Sequence, residues 1–456
     1  MSATELGRKI RAKEFSSVEV TKLYLDALEK GGRKLNAVAE LTRELALMQA
    51  AQADKEIASG HHRGALHGVP YGAKDLFATK GIPTRWGSPA HKDQMFDFDA
   101  VVVQRLAEAG AILVAKLAMI ELAGGGGYES AGASITGPCR NPFDTKRWAG
   151  GSSSGSGAAV GAGMVGFALG TETWGSITVP ASFCNVTGLR PTYGRVPRSG
   201  AMALCFSMDK IGPMARTAED CGHILDIISG HDDKDETSSF LPFKFNPKGS
   251  GRRLKIGLLP TDYEKNKAPD AQKLFEASTK VIKSLGHSVK PMKLPDLPYD
   301  QAATTIVDVE GAAMHESLIR STRLELLADP AQVTGFTAAL QIPGVDYLRA
   351  NKIRTLAKAA TVDTFKQFDI LMAPTLLHGS PLVDKSLNEG WVNMGGNGGP
   401  GNLLGWPSIS LPMGLAKNGL PIGLELIGAP YAEQTILNLA MSFQKATDWH
   451  KLRPKA

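Results

Sequence analysis

The stretch that decides how this chain is read begins Gly150-Gly151-Ser152-Ser153-Ser154-Gly155-Ser156-Gly157 and closes, after an apolar run of small residues, on Thr173-Trp174-Gly175-Ser176. Glycine and serine at this density mean tight backbone geometry around hydroxyl groups. A flexible linker, a phosphate cradle and the floor of a catalytic site all share that composition. The linker reading conflicts with Val160, Met164, Val165, Phe167 and Leu169, which a Gly/Ser linker does not carry. The cradle reading is weakened because no Gly-Lys pair closes the loop and no GxGxxG opens a strand-to-helix turn. A catalytic floor needs a base for its serine.

Working outward, the base is not an obvious histidine. His61, His62 and His91 lie in polar, surface-like segments, and His67 reads as structural. No GxSxG elbow is present. Upstream, His67-Gly68-Val69-Pro70-Tyr71-Gly72-Ala73-Lys74-Asp75 brings a lysine into an apolar, glycine-rich setting. Burial pulls a lysine pKa down and lets it act as a base. Taken alone, a lysine like Lys74 is more often a plain ion-pair partner than a catalytic base.

The 456 residues suffice for two or three domains or one large α/β domain, with 43% apolar and 21% charged residues of an ordinary globular protein. The net charge of +6 is scattered, with no basic run dense enough to call for nucleic acid. The charged N-terminus has no apolar core of a secretory signal, and no apolar run is long enough to span a bilayer. Cys139, Cys184, Cys205 and Cys221 have no CxxC spacing and read as reduced, buried thiols of a cytoplasmic protein.

Ser16 with Glu19 has capping-box spacing and predicts a helix to about residue 29. Further helices are expected over 38–58, 99–109, 158–169 and 220–228. Residues 111–116 read as a buried strand, and 124–127 and 394–401 as glycine-rich loops. Composition turns polar over 229–252. Beyond it, strand 254–259, helix 270–285 and strand 288–294 form a β-α-β unit, hence α/β architecture. Helical pattern dominates 301–366. Strands at 369–372, 408–412 and 421–427 and a helix from Glu433 close the chain.

These motifs together resemble the amidase signature family of serine hydrolases. The matching segments are GVPYGAKD, GPCRNPFD, GGSSSGSGAAVGAG, GTETWGSITVPASFC, TGLRPTYGRVPRSG, SMDKIGPMARTAED, DILMAPT, NLLGWPSISLP and GLPIGLELIG. They run in order from the first helix to Ile436, with a less informative stretch over 240–349. The resemblance implies a single domain over 1–456 built on a large mixed, twisted β-sheet covered by α-helices on both faces. Within it, 1–60 is N-terminal helical cover, 61–230 carries the catalytic motifs, 231–366 is a more variable lobe and 367–456 supplies the closing strands and helix.

Residue by residue, the resemblance makes Lys74 the general base, Ser152, preceded by a cis peptide bond, the relay, and Ser176 the nucleophile of an acyl-enzyme. It places the oxyanion hole on the backbone N–H groups from Thr173 through Trp174 and Gly175 to Ser176, with Ser153 in support. No metal and no cofactor are implied. Trp174 stands where the family commonly has glycine, Glu172 where it has aspartate, Thr178 arginine, Ser154 glycine and Glu425 glutamine. These departures bear on the substrate rather than the chemistry. The expected pocket wall is Gly125, Gly126, Trp174, Leu204, Phe206, Met394 and Asn397. The expected activity is hydrolysis of small-molecule amides, anilides or carbamates by a free-standing enzyme with no nucleic acid or membrane partner, a homodimer being open. The alternative is the glutaminase subunit of a tRNA-dependent amidotransferase; against it, the 394–401 loop carries no acid to hold a glutamine α-amino group. Arg354 is left open as a carboxylate ligand or a helix-surface residue.

Overall fold

The computed structural model describes residues 1–249, 251–391 and 398–455. Its strands are β1 (Val38–Leu41), β2 (Pro70–Lys74), β3 (Ile112–Leu117), β4 (Arg140–Asn141), β5 (Asp144–Trp148), β6 (Phe167–Glu172) and β7 (Thr187–Arg190). They continue with β8 (Lys210–Ala215), β9 (Lys255–Leu258), β10 (Ser288–Pro291), β11 (Ile370–Pro374), β12 (Ser408–Leu415) and β13 (Pro421–Gly428). Eleven of them form one sheet in the order β1-β3-β2-β6-β8-β7-β12-β13-β11-β9-β10, while β4 and β5 pair separately. The sheet is mixed. β2 runs parallel to β3 and β6, β9 runs parallel to β10 and β11, and the centre is antiparallel.

Side-chain alternation explains why helices cover both faces. In β6, Phe167 and Leu169 enter one core and Ala168 the other. In β8, Ile211 and Ala215 point one way and Met214 the other. The first core is closed by the helices Val101–Glu108, Ala218–Ile228 and Glu433–Thr447. The second is closed by Arg43–Ala58 and by the small-residue helix Ser154–Gly161, which is buried along its whole length. Small residues are required there. A Cβ on Gly155 would come within 2.4 Å of the Ala37 carbonyl oxygen and 2.5 Å of the Ala118 nitrogen.

Two expected helices are corrected. The first four residues of 38–58 are β1, because edge pairing with β3 overrides local helical preference; the helix is Arg43–Ala58. The expected helix 158–169 is instead the end of Ser154–Gly161, a turn, and the start of β6. Gly163 at φ 75 terminates the helix, a break that the surrounding small residues disguised. In the 394–401 loop, Met394 and Asn397 lie outside the described residues, and its last residues open a helix, Gly398–Leu403, rather than a loop. Among the described residues no helix is long and apolar enough to cross a membrane.

Candidate active site

Adjacent sheet positions bring the site together. Lys74 is the last residue of β2, and β6 runs beside it, ending at Glu172. The turn after β6 carries Thr173 to Ser176, and the helix Thr178–Phe183 follows at once. The turn before Ser154–Gly161 carries Ser152 and Ser153, with a cis peptide between Gly151 and Ser152.

Lys74 is fully buried, and its Nζ lies 2.7 Å from Ser152 Oγ and 2.8 Å from Thr171 Oγ1. It faces no carboxylate within ion-pair distance among the described residues. Burial pushes its pKa down to about 7 against the weaker opposing pull of Asp209 and Glu172. An ammonium so placed gives up its proton near neutrality and becomes a competent base.

Ser153 joins the turns that carry Ser152 and Ser176. Its N–H donates to the Ser176 carbonyl at 3.2 Å, and its Oγ both donates to the Thr171 carbonyl at 3.1 Å and accepts the Thr171 N–H at 3.2 Å. Ser176 Oγ makes no hydrogen bond among the described residues. Catalytic bonds of this kind commonly tighten only with substrate bound. The N–H groups of Trp174, Gly175 and Ser176 have no protein acceptor among the described residues, so they are open to a developing oxyanion.

Glu172 fixes the start of the helix after the nucleophile. One carboxylate oxygen accepts the N–H groups of Ile177 at 2.9 Å and Thr178 at 3.0 Å; the other accepts Arg190 Nη1 at 2.6 Å and Asn402 Nδ2 at 3.0 Å. Burial alone would raise its pKa, but Arg190, Lys210 and the Thr178 N–H outweigh it and hold Glu172 at about 2. Behind Lys74, Asp75 pairs with the equally buried Lys116 at 3.2 Å. His67 is structural, its Nδ1 accepting the Arg63 N–H at 3.2 Å.

A cavity of about 470 Å³ opens beside the turn that carries Ser176, lined by Trp174, Gly175, Thr178, Asp300, Glu425 and Gly399 among others. The indole of Trp174 is 36% exposed and faces this space rather than the core. Gly124 and Gly127 line the cavity; Gly125 and Gly126 instead pack under the helix Pro330–Ala339, where Cβ atoms would meet Phe336. Leu204 and Phe206 line a neighbouring cavity of about 210 Å³ with Thr171 and Thr173. Arg354 lies outside both; its guanidinium donates to Ser207. Sequence reasoning missed Thr171 and Asp300. Thr171 carries a usable signal, being a hydroxyl one residue before Glu172 on the strand that feeds the nucleophile.

A buried, deprotonatable lysine bonded to one serine hydroxyl, near a second serine at an open N–H turn, is an arrangement able to support serine-based hydrolysis. The chain belongs to the Amidase family, the amidase signature hydrolases, whose model matches residues 19–437. A glutamyl-tRNA(Gln) amidotransferase subunit from Geobacter sp. (strain M21) is 36% identical, covering 98% of this chain and 97% of the relative. A solved structure described as a vestigial protein complex revealing the origins of an s-triazine catabolic enzyme aligns with TM-score 0.90 and 32% identity over 100% of both chains. The peptide amidase of Stenotrophomonas maltophilia aligns with TM-score 0.84 and 30% identity over 98% of this chain and 97% of that one. These relatives correct the expectation of a small-molecule substrate as sole partner with no nucleic acid. The Geobacter protein is by name one subunit of an enzyme acting on a charged tRNA, as are relatives from Methylococcus capsulatus and Chromohalobacter salexigens. Local charge patterning could not signal this, because one member of an assembly need not itself carry the basic surface that meets the tRNA.

Proposed function

We propose that the chain is the amide-hydrolysing subunit of a multi-subunit enzyme of the tRNA-dependent amidotransferase type, releasing ammonia from an amide donor such as glutamine. The observation that carries the chemistry is Lys74 Nζ 2.7 Å from Ser152 Oγ in a fully buried setting. Neutral Lys74 takes a proton from Ser152, which takes one from Ser176 as that oxygen attacks the amide carbon. The C–O bond to Ser176 forms, negative charge collects on the carbonyl oxygen, and the N–H groups from Thr173 to Ser176 stabilise it. Each such donor is worth about 3–4 kcal/mol in comparable sites. The C–N bond then breaks, the nitrogen takes the proton back through Ser152, and water releases the acid from Ser176. The relatives support the assembly, since the same amidotransferase name recurs among them across nearly the whole chain.

A second reading is a free-standing hydrolase of small amides, anilides or carbamates. It is favoured by the end-to-end match to a peptide amidase and by the lack of any lysine or arginine, among the described residues, lining the cavity beside Trp174 and Gly175. Ammonia release from glutamine, measured for the chain alone and together with subunits co-purified from its native source, separates the two. Turnover of glutamine only with the added subunits is expected. Cleavage of an acyl p-nitroanilide or an aryl carbamate by the chain alone, with glutamine untouched in both preparations, would overturn the first reading in favour of the second.

A further inference from the structure

Unlike its neighbour, where Arg198, Lys210 and Lys234 line the wall, the cavity beside the Trp174–Gly175 turn has a one-sided charge. Two carboxylates line it, Asp300 and Glu425, and no lysine, arginine or histidine does among the described residues. Lys74 does not offset them, because burial drives it toward its neutral form. Glu425 has internal partners: Ser408 Oγ donates to it at 2.7 Å and Arg190 lies 3.8 Å away. Asp300 has neither a hydrogen bond nor an ion pair among the described residues. It is an exposed residue in the first turn of the helix Tyr299–Met314 and lines the cavity from its rim. Partial desolvation raises its pKa and no cation opposes the shift.

The wall is shaped around that carboxylate. A Cβ on Gly399 would lie 1.7 Å from Asp300 Oδ1 and 3.6 Å from the Trp174 ring, and one on Gly398 would lie 3.3 Å from the same indole. The two glycines therefore let a carboxylate and an indole approach one space from adjacent sides. A carboxylate beside an aromatic face is the arrangement that holds an ammonium, by ion pairing and cation–π attraction together.

We propose that this pocket selects amides bearing an ammonium or other cationic group over those bearing a carboxylate, with Asp300 and Trp174 as the residues that read the charge. The proposal rests on Ser176 being the nucleophile. It runs against the long-range field, since the whole chain carries a net charge of +6, so the preference is a local property of the pocket.

The test uses three alkyl fluorophosphonates identical except for an ammonium, a carboxylate or a methyl at the tail. Their rates of covalent attachment to Ser176 are read by mass spectrometry and normalised to the methyl probe. The ammonium probe is expected to label about tenfold faster than the carboxylate probe, the ratio set by one well-formed charge contact. Asp300→Asn should shrink that ratio to near unity, and Asp300→Lys should invert it. Equal rates in the unaltered protein, a faster carboxylate probe, or a ratio unchanged in Asp300→Asn overturns the proposal while leaving Ser176 as the nucleophile. Failure of all three probes to reach Ser176 overturns the nucleophile assignment and this proposal with it.

Discussion

Lys74→Met should make the protein more stable at pH 6 and inactive. Holding Lys74 with a pKa of about 7, against the 10.5 of an unperturbed lysine, means that folding disfavours its charged form. At 1.36 kcal/mol per pKa unit the full penalty is about 5 kcal/mol. The sign follows from proton counting. Between pH 7 and 10.5 the unfolded chain holds a proton on Lys74 that the folded protein does not, so stability rises with pH across that window. Below pH 7 the penalty is fully present. Methionine fills similar volume without an ionisable group, but forfeits the contacts to Ser152 and Thr171, at about 1 kcal/mol each. The net gain is then about 3 kcal/mol at pH 6. Raising the pH to 9 should return nearly all of it to the unaltered protein, since two pKa units are worth about 3 kcal/mol. Urea unfolding of both proteins at pH 6 and pH 9 reads this directly, and comparing the difference between them cancels every other titrating group. A variant less stable than the parent at pH 6, or a difference that does not change with pH, would refute the claim that Lys74 is held neutral by burial.

Activity of the parent should climb with pH and level off above about 7, because the base works only when deprotonated; a kcat/KM that falls over pH 6 to 8 contradicts Lys74 as the base. Ser176→Ala should abolish fluorophosphonate labelling, as gel fluorescence would show, and persistent labelling would assign the nucleophile elsewhere. Glu172→Gln should lower stability by about 3–5 kcal/mol, the cost of leaving the buried Arg190 without its partner; chemical denaturation showing no loss would mean Glu425 takes over that role. Trp174→Ala should change relative rates across a panel of amides by tenfold or so while leaving Ser176 labelled, in keeping with a wall residue worth about 1–3 kcal/mol of discrimination.

Lys74, Ser152 and Ser176 stood out in the sequence because tight turns and a buried lysine leave few choices of residue, and the fold brings their segments together. Gly150, Gly175 and their neighbours mark backbone geometry that other residues adopt poorly, with φ at 88 and 82. The mixed sheet was legible in outline from the motifs, but β6, β7 and β8 were not. Their residues are buried on both faces, and runs such as Phe167–Glu172 lack the alternation that marks a half-exposed strand. Asp300 was invisible for a different reason. An acid in a helix's first turn is ordinary, since it suits the helix dipole, and only the tertiary fold shows that it lines the cavity beside Trp174 and Gly175. Partner subunits left no trace in composition at all, because an interface need be no more apolar than the rest of a surface.

Asn402 belongs to the helix Gly398–Leu403 that walls the cavity, and its amide is bonded to Glu172, which in turn holds the backbone following Ser176. Wall and nucleophile therefore cannot be exchanged as separate modules. Transplanting this segment from a relative to acquire a new substrate range would reset the alignment of Ser176 at the same stroke, unless the donor segment kept an amide at 402. Engineering of this scaffold is thus better begun from Trp174 or Asp300, whose side chains shape the cavity without being bonded to Glu172.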